Sequence, residues 1–489
     1  MTTLAELRRL PDVGLFGSFG RSAPERITFQ RELAQVDEPL VRGRVLHLPL
    51  VATCTPEAAH EVLVTKAKSF EKSPGIRLML HRLAGEGLFT SEGSLWRRQR
   101  KLMSPIFQPA PMHQYAETMR LVAERAASGM RAGQSIDVAH ETMRIAMSVV
   151  GKALFDTDTF DEADAIGGAL TTCLAWVNGN VGSPAIVGHL FVLDATDALA
   201  KRTTGRVAAL AHRVHDKFAD PFMLPGVREP KLLSAVTLLN ERIQAMIDER
   251  RRHGFQRKDL LTRLLTAEDP ETSARMSDKQ VRDEAITLFV AGHETTATAL
   301  AWAFYLLARH PELMARAQAE ADAFDDAPIT EWQPERLAFL TRVFRETMRL
   351  YPPLMMMMRR ATEEVVIAGT TLPRHTLVFV SAYSQHHRPD IYPDPYAFDP
   401  DRWLPEREAL RPKGSYLPFS AGPRFCIGVH FAMMEGPIVL ATLLRRWRFE
   451  IDPKRTITAD DFATLRPKGG VPATVRAHER GERAAPARG

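Results

Sequence analysis

The sequence predicts a single, mainly α-helical domain with small peripheral β-sheets. Its composition is that of an ordinary globular protein, with 45% apolar and 25% charged residues among 489. Most segments after residue 110 place apolar residues three and four positions apart, which is the spacing of a helix face. No internal repeat and no long Gly/Ser-rich or Pro-rich linker divides the chain. We therefore expect one domain over residues 1–489, with no fused reductase domain.

The helical periodicity predicts the main helices, and short β-like runs predict the strands. The strand candidates are apolar or β-branched and are bounded by Gly, Pro or charged residues. The predicted helices cover residues 111–131, 139–154, 232–253, 278–309, 312–324 and 338–350. The predicted strands cover Arg44 to Val51, Val365 to Ile367, Leu377 to Val380 and a segment near the C-terminus.

The stretch from Ala165 to Leu193 contains no Asp, Glu, Lys or Arg. Its length alone would admit a membrane span, but Asn178, Gly182 and Pro184 interrupt it, which argues against a continuous spanning helix. Two interpretations stay open at this point. The stretch is either a buried helix followed by a loop, or a mobile apolar roof over a lipophilic pocket.

Charge and cysteine content favour a cytoplasmic protein that does not bind nucleic acid. Lys and Arg (64) exceed Asp and Glu (59) by 5, and the basic residues are spread along the chain. Three cysteines, an odd number, cannot build a disulfide framework. Glu6, Arg8 and Arg9 precede any apolar run of useful length, so we expect neither a signal peptide nor a transmembrane anchor.

The segment Phe419-Ser-Ala-Gly422-Pro-Arg424-Phe-Cys426-Ile-Gly428 is followed at once by an apolar, helix-competent run. A cysteine at the start of a helix meets exposed backbone N–H groups and the positive end of the helix dipole. Both favour thiolate over thiol, which makes Cys426 a metal-ligand candidate. Gly422 and Gly428 let the backbone turn tightly and approach a flat, bulky group. Arg424 can pair with a carboxylate on that group.

This segment resembles the Phe-x-x-Gly-x-Arg-x-Cys-x-Gly signature of the cytochrome P-450 haem-thiolate monooxygenases, with every fixed position filled. The resemblance implies the cytochrome P-450 fold, in which a long central helix crosses the distal haem face. It also implies haem b as the cofactor and Cys426 as the proximal ligand of the haem iron. By the same resemblance, Arg424 contacts a haem propionate and Phe419 shields the sulfur.

The long predicted helix that begins at Asp278 carries an acid and two hydroxyls among apolar residues near its middle. A carboxylate in such surroundings costs free energy unless it is paired or hydrated. From the helix alone, a glutamate exposed on a polar stripe is the alternative. In the resembling family this is the distal helix, and its pattern of small residue, Gly, any residue, acid and Thr begins at Ala291. The resemblance implies that Gly292 leaves room for dioxygen, that Thr295 hydrogen-bonds dioxygen and that Glu294 relays protons through water.

Glu346 and Arg349 lie three residues apart in the predicted helix over 338–350, where they can form an ion pair on one helix face. The same spacing recurs elsewhere in the chain, so the pair is informative only through its position. The resemblance implies that Arg402, from a Pro-Asp-Arg-Trp segment, completes a buried cluster with these two residues. Its role would be structural rather than catalytic.

Trp96 and Arg100 lie four residues apart, on one face of a predicted helix. Other Trp and Arg residues in the chain share that spacing, so position again carries the argument. The resemblance implies that both residues contact the haem propionates. Arg359 matches a further propionate contact of the family, with Arg360 as the alternative one residue along.

Met355, Met356, Met357 and Met358 form a run just before that arginine. Methionine is flexible and polarizable, and it suits surfaces that accept varied apolar partners. The run is either ordinary core or, as the resemblance implies, a part of the substrate pocket. In the second case it predicts a broad lipophilic site.

The resemblance therefore predicts a monooxygenase that inserts one oxygen atom from O₂ into a lipophilic substrate, such as a fatty acid, a terpenoid or a steroid-like compound. The segment after Cys426 is short and has no Gly-rich dinucleotide fingerprint. We expect a monomer that takes electrons from a separate ferredoxin or flavodoxin with its NAD(P)H-dependent reductase. The candidate contacts for an acidic donor are the basic residues Arg97, Arg98, Lys101, Arg445 and Arg446, unless these are simply solvated charges.

Two other classes of protein stay open. One is a haem-thiolate peroxygenase or isomerase, and the other is a non-enzymatic haem-binding sensor. A peroxygenase or isomerase has little need for the acid and alcohol pair Glu294 and Thr295. A sensor normally carries an output domain, and the sequence shows none. Both observations favour the monooxygenase.

Overall fold

The computed structural model describes residues 2–10, 23–45, 48–156, 163–180, 184–218, 229–255, 257, 259–269, 271–324, 328–329, 331–461 and 464–479. Helices form most of this part of the chain and the sheets are small, so the predicted fold class is confirmed. The first helices are α1 Ala23–Leu33, α2 Pro56–His60, α3 Pro74–Ala84, α4 Gly93–Met103, α5 Pro109–His113, α6 Ala116–Gly129, α7 Val138–Phe155, α8 Ala163–Asn180 and α9 Pro184–Arg202. They are followed by α10 Gly205–Phe218, α11 Pro230–His253, α12 Leu260–Thr266, α13 Asp278–Arg309, α14 Pro311–Ala323, α15 Ala338–Leu350, α16 Ala382–His386, α17 Pro405–Glu408 and α18 Val429–Leu444.

The strands form small sheets beside the helices. The strands are β1 Thr2–Thr3, β2 Leu40–Val45, β3 Leu48–Thr53, β4 Phe70–Lys72, β5 Ser135–Asp137, β6 Met356–Ala361, β7 Val365–Ile367, β8 Thr370–Leu372, β9 Leu377–Ser381, β10 Trp447–Glu450, β11 Ala459–Asp461, β12 Leu465–Pro467 and β13 Pro472–Ala477. The largest sheet has the order β2-β3-β9-β6-β4, and three smaller sheets have the orders β1-β8-β7, β10-β13-β5 and β11-β12.

Most of the predicted elements are present, and the differences have local causes. The helix predicted over 111–131 is two helices, α5 and α6, separated by Gln114 and Tyr115. The strand predicted from Arg44 to Val51 is part of two antiparallel strands, β2 and β3, and residues 46–47 lie outside the described part. The helices predicted over 139–154, 232–253, 278–309, 312–324 and 338–350 are confirmed within two residues at each end.

The stretch from Ala165 to Leu193 is helical on both sides of residues 181–183, which lie outside the described part. A second helix, α9, therefore follows the first within this stretch and begins at Pro184. Proline suits the first turn of a helix, where its missing N–H would have no partner inside the helix. No helix in the described ranges is both long and apolar enough to cross a membrane.

Helix α13 is the central element of the helical part. The Ser277 hydroxyl accepts a hydrogen bond from the Gln280 backbone N–H, and the Gln280 side-chain oxygen accepts one from the Ser277 backbone N–H. This pair caps the first turn, and Pro311 follows the last turn. Its 32 residues extend over about 48 Å at 1.5 Å per residue. Most of its side chains are buried against α7, α11, α15 and α18. The helix therefore passes through the whole core.

The edge of the largest sheet places charged residues opposite one another. Strands β4 and β6 are antiparallel, with Glu71 opposite Arg360 and Lys72 opposite Arg359. Because successive side chains of a strand point to opposite faces, the two pairs lie on different faces of the sheet. Glu71 and Arg360 form an ion pair of 2.7 Å, whereas the second pair brings two cations together.

Candidate active site

The segment around Cys426 is a tight loop before α18. The Cys426 N–H donates to the Phe419 carbonyl (2.9 Å) and the Phe425 N–H donates to the Gly422 carbonyl (3.0 Å). Gly422 has φ +68°, and a Cβ there would lie 2.1 Å from the carbonyl oxygen of Leu63. Glycine is required at this position both by the left-handed backbone and by the close approach of the neighbouring segment. The loop is thereby fixed against the rest of the protein.

Cys426 is an exposed free cysteine at the end of this loop. The surrounding protein raises the pKa of its thiol, and the Gly428 backbone N–H and the Arg100 guanidinium oppose that rise without cancelling it. Burial therefore outweighs the donors at the helix start in the protein without a metal ion. A metal ligand must lose its proton, so iron binding at this sulfur would release one.

The neighbours of Cys426 leave open space on one side. Phe419 is half-buried, and its ring meets that of Phe425 edge to face, with centroids 6.5 Å apart. Gly428 is the residue before α18, and a Cβ built on it would meet nothing within 4 Å. Its φ of −88° suits any residue, so the backbone conformation does not require glycine there.

A stripe of α13 is accessible in the middle of this otherwise buried helix. Leu288, Gly292 and Thr295 are partly exposed and Ala291 is exposed, whereas their neighbours on the helix are mostly buried. The spacing of three and four residues places the stripe on one helix face. The stripe therefore borders a recess lined by small and apolar groups with one hydroxyl.

The structure places Gly292 against another helix rather than against an open space. A Cβ on Gly292 would lie 3.0 Å from Cγ2 of Val150 on α7. The predicted role of Gly292, to leave room for dioxygen, stays a prediction beside this contact. The glycine instead allows α7 and α13 to approach each other closely, which is a packing role.

Glu294 and Thr295 point to different neighbours. The Thr295 hydroxyl donates to the Ala291 carbonyl (2.7 Å), a bond within the helix. The Glu294 carboxyl is 6% exposed and accepts a hydrogen bond from the Thr464 hydroxyl (3.0 Å). Burial raises the pKa of Glu294, while Thr464 and Arg466 oppose the rise. The polar-stripe alternative is thus wrong, and the acid and the alcohol do not touch each other in this conformation.

Thr464 and Glu435, which contact the middle of α13, are not marked by the motifs of the sequence. Thr464 lies 170 positions along the chain from its partner, and no local pattern marks it. Glu435 is a fully buried acid on α18, and burial raises its pKa well above the usual range with only the Thr296 hydroxyl opposing. A single acid in the apolar run of α18 is a signal that could have identified Glu435.

The predicted propionate contacts gather on one side of the cysteine loop. The guanidinium of Arg424 lies over the Trp96 ring, 4.8 Å from its centroid. Burial lowers the pKa of Arg100, and the Cys426 side chain opposes that change because the two are close. Arg359 is 9% exposed, and the nearby charge of Arg424 contributes to lowering its pKa. Arg360 is instead paired with Glu71 on the other face of the sheet. The geometry favours Arg359 over Arg360 for this cluster.

Lys72 and Glu92 belong to the same cluster, and the sequence analysis missed both. Glu92 pairs with both terminal nitrogens of Arg424 at 2.6 Å. Lys72 donates its ammonium to the carbonyls of Leu88 (2.9 Å) and Ser91 (2.7 Å). Burial lowers the pKa of Lys72 to about 7, in spite of Glu92. We call Lys72, Glu92, Arg359 and Arg424 the cation cluster.

The charges of the cation cluster fit a group with two carboxylates. Three cations share one carboxylate, and two of the cations are opposite each other in the sheet. Like charges in that position repel, and more strongly when they are buried. Haem b brings two propionates, which would balance the excess, and Cys426 is a suitable iron ligand nearby. The residues present therefore fit haem b.

Glu346, Arg349 and Arg402 form a second, closed cluster. Arg349 donates to both carboxylate oxygens of Glu346 (2.9 and 2.8 Å), and Arg402 donates to one of them (3.2 Å). The Trp403 indole and the Asp399 backbone also donate to this carboxylate. Both charged side chains of the first pair are fully buried. The three residues are brought together as a structural cluster, with no charge left over at the carboxylate.

The four methionines do not line one common surface. Met355 is buried against Tyr383, and Met357 packs against a different cluster from Met356 and Met358. The reason is that residues 356–361 form strand β6, whose side chains alternate between the two faces. Met356 and Met358 therefore share one face of β6, and Met357 lies on the other.

Comparisons with known proteins identify the family and the fold. The family model for cytochrome P450 matches residues 6–471. Cyclooctatin synthase from Streptomyces melanosporofaciens is 36% identical over 419 residues, which are 85% of this chain and 83% of that protein. Pentalenene oxygenase from Streptomyces avermitilis is 32% identical over 428 residues, 87% of each chain. The crystal structure of the cytochrome P450DA heme domain has a TM-score of 0.79 and 24% identity, with 97% of this chain and 98% of that chain covered.

Fold and site together define a haem-dependent oxidoreductase. The chain belongs to the cytochrome P450 family. It is a cytochrome P450 monooxygenase, and haem b is its cofactor.

Proposed function

We propose that Cys426 is the haem ligand and that this monooxygenase oxidises a largely hydrocarbon, terpenoid-type substrate with electrons from a separate protein. The observation that carries the proposal is the accessible Cys426 thiol beside a cluster with two more cations than carboxylates. The same unit, residues 1–489, is proposed to act as a single domain and a monomer.

The residues around Cys426 divide the work of holding the cofactor. Arg100, Arg359 and Arg424 hold the propionates, and Trp96 supports Arg424 by a cation–π contact. Phe419 covers the sulfur, and its carbonyl fixes the Cys426 backbone. When bound, haem b supplies the oxygen chemistry, while the protein orients the substrate and excludes water.

Proton supply is proposed to come from the middle of α13. The raised pKa of Glu294 favours a protonated carboxyl, which can act as a proton donor. Its hydrogen bond to Thr464 directs it away from Thr295, so delivery to the recess requires rotation of the side chain or a connecting water. Thr295 presents its hydroxyl at the recess and positions the last proton carrier.

The substrate proposal combines the recess with the names of the relatives. Leu288, Ala291 and Leu354 are apolar side chains with exposed surface, and none of them discriminates by hydrogen bonding. One relative is named for oxidation of pentalenene and another for synthesis of cyclooctatin. We therefore favour a terpenoid over a fatty acid or a steroid-like compound.

The proposed electron donor is a ferredoxin or flavodoxin with its NAD(P)H-dependent reductase. Arg97 and Arg98 are exposed on α4, the helix that also carries Trp96 and Arg100, and neither forms an ion pair with a described residue. The other candidates are less suitable. Lys101 pairs with Asp269 and Glu271, Arg445 is buried with a bond to the Phe324 carbonyl, and Arg446 bonds to Ser128.

The proposal is tested by spectroscopy and by turnover. The reduced protein should give the CO difference spectrum of a thiolate-ligated haem, and Cys426→His should retain pigment without that spectrum. With ferredoxin, reductase and NAD(P)H, pentalenene is the first substrate to test, with palmitate and testosterone as alternatives. Product formation only with peroxide would favour a peroxygenase. A normal thiolate spectrum in Cys426→His would overturn the ligand assignment.

A further inference from the structure

Glu92 is the only carboxylate that pairs with a cation of the cation cluster in the described part of the chain. It lies directly before α4 and is buried together with Arg424, with side-chain exposures of 12% and 14%. Burial alone would raise the pKa of Glu92, but the hydrogen bonds from Arg424 and from the Lys72 backbone outweigh it and hold the pKa below its usual value. Glu92 is thus a buried negative charge at the edge of the haem site.

Glu92 also holds Arg424 in one orientation. Each carboxylate oxygen accepts one guanidinium nitrogen at 2.6 Å, which is the planar, two-bond geometry that fixes direction as well as distance. The Lys72 backbone N–H donates to the same carboxylate (2.7 Å), so the acid itself cannot turn. Arg424 further donates to the Phe70 carbonyl (3.4 Å) and covers Trp96. The guanidinium is therefore held from three sides.

The negative charge of Glu92 matters because the cluster is poor in anions. Lys72 and Arg359 face each other across β4 and β6, and Arg424 lies close enough to lower the pKa of both. Removing the charge of Glu92 would leave three cations with no internal partner. The protein interior screens charges less than water does. Loss of the Glu92 charge would therefore change the electrostatic potential at a cofactor bound beside the cluster.

We propose that Glu92 is a positioning residue that fixes Arg424 for the haem and, through its negative charge, lowers the reduction potential of the bound haem iron. This inference rests on the proposed contact between Arg424 and a propionate. The oxidised iron carries one more positive charge than the reduced iron. An adjacent anion therefore stabilises the oxidised form, and its removal favours uptake of an electron from the donor protein.

The test is the reduction potential of haem-loaded Glu92→Gln, measured by spectroelectrochemistry with and without substrate. Glutamine keeps the shape and one acceptor oxygen but removes the charge. We expect a shift of the one-electron equilibrium towards the reduced form by three- to tenfold, where tenfold corresponds to about 59 mV. Glu92→Asp keeps the charge, so its reduction potential should equal that of the wild-type protein.

Glu71→Gln is the matched control. Glu71 is the residue before Lys72 on the same strand, and it pairs with an arginine of the same opposite strand, but on the other face of the sheet. Like Glu92→Gln, the substitution removes one carboxylate charge from an ion pair with an arginine. We expect no change in the potential for this variant.

The outcomes separate a structural role of Glu92 from an electrostatic one. An unchanged potential in Glu92→Gln, with wild-type haem content and CO spectrum, contradicts the inference, and so does an equal shift in Glu71→Gln. If Glu92→Gln does not retain haem, the double variant Glu92→Gln/Lys72→Met is measured instead, because it removes one charge of each sign and keeps Arg424. Its potential should stay close to that of wild type, and a potential clearly above or below wild type overturns the inference. Absence of the thiolate spectrum in the wild-type protein would instead contradict the proposed function.

Discussion

The two arginine-rich clusters of this protein differ in how fully the chain itself provides partners for their charges. In the cluster of Glu346, Arg349 and Arg402, one carboxylate accepts from both arginines, and Arg349 also donates to the carbonyls of His386 and Ala397. In the cation cluster, three cations share Glu92 alone among the described residues. The first cluster is complete within the chain. The second is complete only with a further anion.

This difference separates a structural site from a binding site. A buried charge costs free energy unless partners compensate it, and the chain supplies all partners of Glu346. In the cation cluster, Glu92 is the one carboxylate for three cations among the described residues, so part of the positive charge has no partner within it. The like charges of Lys72 and Arg359 repel each other in that arrangement, and the propionates of the proposed function would relieve the repulsion.

The largest expected effect follows from removing the central acid of the closed cluster. Glu346→Gln leaves Arg349 and Arg402 without their buried anion, which should lower the free energy of unfolding by about 3 to 5 kcal/mol. Urea denaturation of the haem-loaded protein measures it. The matched control is Glu450→Gln on the exposed pair with Arg476, where we expect less than about 1 kcal/mol. Similar losses in the two variants would remove the distinction between the clusters.

The next effect concerns Glu284, a buried acid of α13 next to the cation cluster. It accepts from the Leu88 N–H (2.8 Å), and burial raises its pKa to about 8. Between pH 4.5 and 8 the folded protein binds a proton here that the unfolded chain has lost, so this group's contribution to stability falls as pH rises. Glu284→Gln has no ionisable group at this position and lacks this pH-dependent contribution. The unfolding free energy of the variant relative to wild type should rise by about 1 to 3 kcal/mol from pH 5 to pH 8.

Denaturation at both pH values measures this difference. Glu271→Gln, an exposed acid, is the control and should keep the wild-type dependence on pH. Parallel curves for Glu284→Gln and wild type would show that Glu284 is ionised in the folded protein.

A smaller effect tests the open cluster directly. Lys72→Met removes one of two cations that face each other, so the haem-free protein should unfold with unchanged free energy or gain up to about 1 kcal/mol. The same variant should release haem about tenfold faster, which corresponds to about 1.4 kcal/mol. Transfer of haem to an acceptor protein measures the release. Lys68→Met, an exposed lysine nearby, should change neither quantity. A clear loss of stability in haem-free Lys72→Met would mean that the cluster is already balanced.

The smallest effect concerns charges that belong to neither cluster. Arg97→Glu/Arg98→Glu should slow electron transfer from ferredoxin about threefold at low salt, because association loses electrostatic attraction, and the difference should fade at high salt. Haem content and unfolding should stay as in wild type. Stopped-flow reduction under CO measures the rate, with the exposed Arg252→Glu as control. Equal rates at low salt would contradict docking at α4.

Local patterns predicted much of the fold and of the site. Helix α13 was expected over 278–309 and is present with those bounds, because its cap, its apolar periodicity and its terminal proline are all local. Cys426 and its loop were likewise expected from the order of nearby residues. The resemblance then assigned Glu346, Arg349 and Arg402 to one cluster, and the structure brings these three together.

The residues missed by the sequence analysis share a different property. Glu92 and Arg424 are separated by 332 positions, and Thr464 and Glu294 by 170. No periodicity or motif connects residues at such distances. The same limit applies to Gly292 and to the methionine run, since a neighbouring helix and the alternation of a strand decide which way those residues face.

The amino-acid sequence by itself therefore determined the helical class, the bounds of the long helices, the cysteine ligand candidate and the family. Those properties depend on spacing along the chain, and spacing is visible in the sequence. Only the tertiary structure decided which charges lie together and which of them lack a partner. Charge balance at a buried site depends on burial and on contacts between distant segments, which arise only when the chain is folded.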